Sequence, residues 1–67
     1  MAGSFPSAPL ERIARKAGAE RVSASAVEAL NEILTEIAEQ IAKEAAAVSN
    51  HAGRVTIKRD DIKLASR

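Results

Sequence analysis

What constrains this chain most is one uninterrupted stretch of helical periodicity across the middle of its 67 residues. Val27, Leu30, Leu34, Ile37, Ile41, Ala45 and Val48 recur at intervals of three or four, and Ile33 and many alanines widen the stripe. Gly18 lies upstream of the run and Gly53 ends it. Each can enter the left-handed backbone region without steric cost and so close a helix. The spacing predicts a helix over about residues 24–52. At 1.5 Å per residue it extends about 43 Å, whereas a compact monomer of this length is about 28 Å across. Such a rod overshoots its own domain.

The flanks are short. Pro9 suits the first turn of a helix, where its missing N–H lacks a partner anyway, and Leu10, Ile13, Ala14 and Ala17 then share one face. The first helix is expected over about 9–17. Residues 1–8 show no periodicity and read as a disordered arm with Phe5 as its only anchor; residues 9–67 read as one all-α domain. Either Ser23 or Ser25 can cap the long helix, and Ser25 with Glu28 forms the capping-box pattern. Beyond Gly53, the β-branched triplet Val55-Thr56-Ile57 favours a brief extended segment. A third helix follows, with Asp60 and Asp61 favoured in its first turn by the helix dipole and a small apolar face from Ile62 with Ala65, or with Leu64.

The core such a chain can build alone is thin. Of 31 hydrophobic residues 15 are Ala, which leaves 14 Val, Ile and Leu besides Met1 and Phe5. With no Cys and one His there is no disulfide, no metal site and no sign of a cofactor. Two flanking helices of about nine residues cannot shelter the long stripe, so a second copy must. Arg21-Val22-Ser23 and Val55-Thr56-Ile57 stand at opposite ends of the long helix and cannot pair within one chain. An antiparallel crossing of two copies lets each meet the partner's other segment.

The net charge of +1 conceals a pattern. Residues 1–23 carry +2, residues 24–52 carry −4 and residues 53–67 carry +3. The crossing would bring Arg21 of one copy beside Arg54, Thr56 and Lys58 of the other, giving two cationic tips that attract a polyanion. No apolar run approaches the ~20 residues that span a bilayer, and residues 1–10 have neither the basic flank nor the apolar stretch of a signal peptide. The expectation is a cytoplasmic protein with no membrane partner.

Two motifs now carry a resemblance: Ala17-Gly18-Ala19-Glu20-Arg21-Val22-Ser23 at the first connection and His51-Ala52-Gly53-Arg54-Val55-Thr56-Ile57-Lys58 at the second, joined by a helix of matching length. Over about residues 9–65 the chain resembles the archaeal histones. The resemblance implies a histone fold of short, long and short helices, paired as an antiparallel handshake dimer. It implies binding and compaction of double-stranded DNA without sequence preference, as a nucleoid-associated homodimer or as a heterodimer with a paralogue. Stacking of dimers into a tetramer or filament is implied as well.

Site residues follow from it. Arg21 corresponds to the side chain placed at the DNA minor groove, and Arg12 and Arg15 to basic positions of helix 1 that lie over phosphates. A guanidinium suits this task, being always charged and weakly hydrated. Thr56 either bonds Arg21 or a phosphate, or serves as a β-branched former of the extended segment; both roles stay open. Lys58 matches a phosphate-contacting position. Arg54 is paired by the resemblance with Asp61 as an intramolecular clamp, more structural than DNA-contacting. For His51 two assignments weigh equally: a helix-terminal residue stabilised by the dipole, or a contact between dimers in which it meets Asp61 of a neighbour beside Val48 and Leu64. In the second case stacking responds to pH. Val27, Leu30, Leu34, Ile37 and Ile41 form the expected dimer core.

Departures weaken the expected binding. Val55 and Asn50 stand where basic residues are common, Val48 is smaller than the usual Leu, and the basic end of helix 3 is missing. They motivate an alternative, a histone-fold interaction subunit that heterodimerises or caps filaments. An enzyme is disfavoured, since no nucleophile and base fall in a recognisable spacing and there is no Gly-rich phosphate loop.

Overall fold

The computed structural model describes residues 3–67. It contains helices α1 (Ser7–Lys16), α2 (Ala24–His51) and α3 (Arg59–Ala65), with no strand among the described residues. The chain gathers into two compact units, Met1–Glu36 and Ile37–Arg67, and α2 passes through both.

Both expected glycine stops are present, and they share a mechanism. Gly18 and Gly53 have φ of 118° and 75°. The Gly18 N–H donates to the Arg15 carbonyl (3.0 Å) and the Ala19 N–H to that of Ala14 (3.2 Å), the two bonds of a Schellman cap. The Gly53 and Arg54 N–H groups repeat it on the carbonyls of Asn50 and Ser49, both at 3.0 Å. The start of α2 is capped by Ser23, whose hydroxyl accepts the Ala26 N–H at 3.1 Å. Ser25 lies inside the helix.

In the first unit α1 begins at Ser7, two residues ahead of the expected start, with Pro6 as the extended cap residue (φ −62°, ψ 150°). Pro9 is still within the first turn, where its absent N–H costs no bond. The described part of the expected disordered arm is tied down instead. The Phe5 N–H donates to Asn31 Oδ1 at 3.0 Å, the Phe5 carbonyl accepts Asn31 Nδ2 at 2.6 Å, and the Ser4 N–H donates to the Thr35 hydroxyl at 2.9 Å. One carboxamide offers a donor and an acceptor in one plane, which matches the two main-chain groups of a single residue. Gly3 permits the close approach, because a Cβ there would collide with the Asn31 carbonyl, its side-chain oxygen and the Thr35 hydroxyl. Residues 1 and 2 of the arm lie outside the described residues. Among the described residues of this unit Leu10, Val27 and Asn31 are buried, and Leu30 and Leu34 are half-buried.

In the second unit Ala45, Ser49 and Asp61 are buried and Ile41 and Val48 half-buried. The Val55-Thr56-Ile57 triplet departs from the expected extended segment: residues 55 and 56 form a bend, held by side chains described below. Of the two options for α3, Ala65 is partly covered, while Leu64 and also Ile62 stay exposed. The exposed apolar side chains come from every helix: Ile13 of α1, Ile33 and Ile37 of α2, Ile62 and Leu64 of α3. Of the expected dimer core, Val27 is covered by its own chain, whereas Ile37 is half exposed and Leu30, Leu34 and Ile41 lie between.

Candidate nucleic-acid interface

The basic residues expected to meet DNA fall into three local settings. On α1, Arg12 and Arg15 are exposed and line a shallow depression with Ala8 and Glu11. Glu11 reaches Arg15 at 3.8 Å, an exposed pair of adjacent turns worth little to stability. Both guanidiniums remain accessible to an anion. Arg21 is also exposed, on the non-helical link between the Gly18 cap and the Ser23 cap, so its backbone is set by capped helix ends on both sides.

The third setting is the loop from Ala52 to Lys58, and here the structure is built rather than merely basic. Arg54 Nη1 and Nη2 each donate to one oxygen of Asp61, both at 2.9 Å, in the parallel fork that guanidinium and carboxylate favour. Arg54 Nη1 also donates to the Thr56 carbonyl at 3.2 Å. The Lys58 N–H donates to Asp61 Oδ2 at 2.8 Å and so satisfies an open amide at the start of α3. Asp61, 4% exposed, thus serves three donors. The Arg54 guanidinium, helped by the Lys58 amide, pulls its carboxyl down to about 2, and Arg54 is raised in turn. Arg54 is therefore occupied inside the loop with a third of its side chain facing solvent, whereas Lys58 and Thr56 are exposed.

Of the residues expected to join dimers, Val48, His51 and Leu64 line one open apolar depression with Ala47 and Ala52. Asp61 does not line it and is spent beneath Arg54.

Three residues that build these settings escaped the sequence: Asn31 and Thr35, which hold the arm, and Ser49, which is 2% exposed and donates its hydroxyl to the Thr56 carbonyl at 2.9 Å, with the Arg54 carbonyl at 3.3 Å. A signal existed. Asn31 follows Val27 by four residues and Ser49 follows Ala45 by four, so each is a polar residue on the buried side of α2. Among the described residues no group of three or more His, Cys, Asp or Glu could hold a metal ion, and no helix is long and apolar enough to cross a membrane.

Comparison with known proteins bears on this arrangement. The family described as histone-like transcription factor (CBF/NF-Y) and archaeal histone matches residues 3–65. The chain is 52% identical over 61 residues to one of the subunits of archaeal histone HAN1 from Thermococcus zilligii, covering 91% of each protein. It is 47% identical over 63 residues to probable archaeal histone 3 of Methanocaldococcus jannaschii, covering 94% of each. These relatives are histones and not enzymes. With three helices in the order short, long, short and a match from Gly3 to Ala65, the chain belongs to the family of histone-like transcription factors and archaeal histones, and its fold is the histone fold.

Proposed function

We propose that two copies of this histone cross their α2 helices antiparallel and that the pair binds duplex DNA without sequence preference, in association with the chromosome. Arg21, Arg12 and Arg15 supply cations to phosphates and groove, Thr56 and Lys58 add contacts from the second loop, and Arg54 keeps that loop in shape. The observation that carries this reading is the combination, on one short chain, of uncovered isoleucines on all three helices with exposed cations at both helix connections. The isoleucines call for a partner chain. The cations call for a polyanion.

Dimers in turn stack through the depression of Val48, His51 and Leu64 into tetramers or filaments that compact DNA. Asp61, engaged by Arg54 within its own chain, also belongs to that contact as the acceptor for a neighbouring His51. Val55, 99% exposed, favours a second reading: an apolar side chain stands free in the loop, which suits a histone that pairs with a different histone and binds DNA weakly. The Thermococcus zilligii relative, by its name one component of a histone, points the same way.

A titration of random duplex DNA across a salt series, with sedimentation of the free and bound protein, separates the two. If each dimer neutralises about 6 phosphates, log K falls with log salt at a slope of about −5. No binding at low salt by the purified chain, with binding restored by a paralogue, would establish the second reading.

A further inference from the structure

We propose that Ser49 is a positioning residue for nucleic-acid contact: its buried hydroxyl holds the Thr56 peptide so that the side chains of Thr56 and Lys58 are presented to phosphate together. The proposal rests on the DNA-binding reading above and names a part of that machinery which touches no DNA itself.

Ser49 is among the least accessible side chains of the chain, and it lies on α2 rather than in the loop it serves. A buried hydroxyl without a partner costs about 1–3 kcal/mol, so it is tolerated where its bonds are made. Here its hydrogen is directed to the Thr56 carbonyl at 2.9 Å, with the Arg54 carbonyl a second, longer neighbour at 3.3 Å. The same Thr56 carbonyl takes Arg54 Nη1 at 3.2 Å. The turn is further fixed where the Arg54 N–H meets the Ser49 carbonyl at 3.0 Å. Two donors, one seven residues before Thr56 and one two before, therefore converge on one carbonyl. With that carbonyl held, the Thr56 and Lys58 side chains on either side of Ile57 are found exposed. The Arg54–Asp61 fork secures the base of the loop and α3. Ser49 secures the middle of the loop, which lacks any strand pairing within the chain among the described residues.

Holding a loop before it binds spares the ordering entropy that binding would otherwise cost. Ser49→Ala removes the hydroxyl and changes little volume. The expected result is a protein that still forms dimers and keeps its helix content, yet binds random duplex DNA about fivefold more weakly, the equivalent of one typical hydrogen bond. A role confined to stability would not move the first of two further readouts, and the second tests the brace itself. The first is a double-mutant cycle: in a background carrying both Thr56→Ala and Lys58→Ala the Ser49→Ala effect should largely vanish, because both contacts it positions are gone. Additive losses would overturn the proposal. The second is amide hydrogen exchange of Arg54 and Lys58 in the free protein, which should quicken several-fold in Ser49→Ala while amides of α1 keep their rates. Unchanged loop exchange overturns the positioning role whether or not DNA is bound. Absence of duplex binding by the unaltered protein, with faster loop exchange in the variant, would instead overturn the DNA reading and leave Ser49 as the brace of the loop.

Discussion

Asp61 shows how much one buried carboxylate can organise. It joins the Arg54 side chain and the Lys58 amide to the first turn of α3, and its ionised form is held by the two Arg54 N–H groups and the Lys58 amide to a pKa of about 2, below the 3.8 of a free aspartate. A carboxyl with a depressed folded value stabilises fully above its unfolded value and loses that contribution as pH falls through the folded one. The loop should therefore hold through mild acid and loosen between about pH 4 and pH 2. Urea unfolding of the native protein and of Asp61→Asn checks this: the native protein should be the more stable near neutral pH, and the two should converge at about pH 2. A gap that persists unchanged in acid would assign the difference to shape rather than charge. Arg21 makes a different prediction, since its side chain is exposed on a link braced at both ends. Arg21→Ala should weaken binding to every duplex alike, lower the salt slope and leave the unfolding midpoint in place, as titrations on two unrelated sequences can show. The residue scale is also where the sequence was least legible. Asp61 and Arg54 are seven apart and were paired through family likeness, while Ser49 in a long helix looks like any solvated serine. Its importance comes from what the loop does seven residues later, and hydrophobic periodicity carries no information about that.

The limits of α1 and α2, by contrast, could be read to within one or two residues, because they are set by local chemistry, and the acidic first turn of α3 could be read as well. Gly18 and Gly53 close α1 and α2 with the same pair of backbone bonds, and a serine hydroxyl opens α2. What local chemistry did not reveal was the clasp of residues 3–5 on α2. A Gly-Ser-Phe-Pro segment has no period and reads as loose chain; its order depends on a carboxamide and a hydroxyl 26 and 31 residues away. The cost of undoing it can be bounded. Asn31→Ala would leave both the N–H and the carbonyl of Phe5 without their partner, at about 1–3 kcal/mol in urea unfolding. Gly3→Ala should open the same clasp from the other side through its clash with Asn31 and Thr35, releasing the amide protons of Ser4 and Phe5 to faster exchange. If Gly3→Ala left both amides as protected as before, the close approach at Gly3 would not be what holds the arm. The bend at 55–56 has a related explanation: β-branched residues favour extended backbone, yet two side-chain donors to one carbonyl decide the local path.

At the scale of the whole molecule the decisive quantity is the apolar surface a single chain leaves open. Ile13, Ile33, Ile37, Ile57 and Ile62 are each between two fifths and three fifths exposed. Covering a side chain of this size contributes about 1.5–3 kcal/mol, so finishing the burial of five half-covered ones contributes roughly 4–8 kcal/mol per copy. That is comparable with the entire stability of a small domain, about 5–15 kcal/mol. Association and folding should then be one event, with an unfolding midpoint that rises with protein concentration. Leu34 provides the test. It is half-buried within the chain and sits in the middle of the stripe on which two α2 helices would cross. Leu34→Lys places an ammonium at that crossing, where no carboxylate on the stripe can meet it, and should abolish the dimer and most of the helical signal together. Sedimentation and circular dichroism on the same samples distinguish the outcomes. Loss of both follows from a fold completed by its partner. A helical, monomeric Leu34→Lys variant at micromolar concentration would mean that each chain stands by itself, and the cationic tips formed across the pair would lose their physical basis.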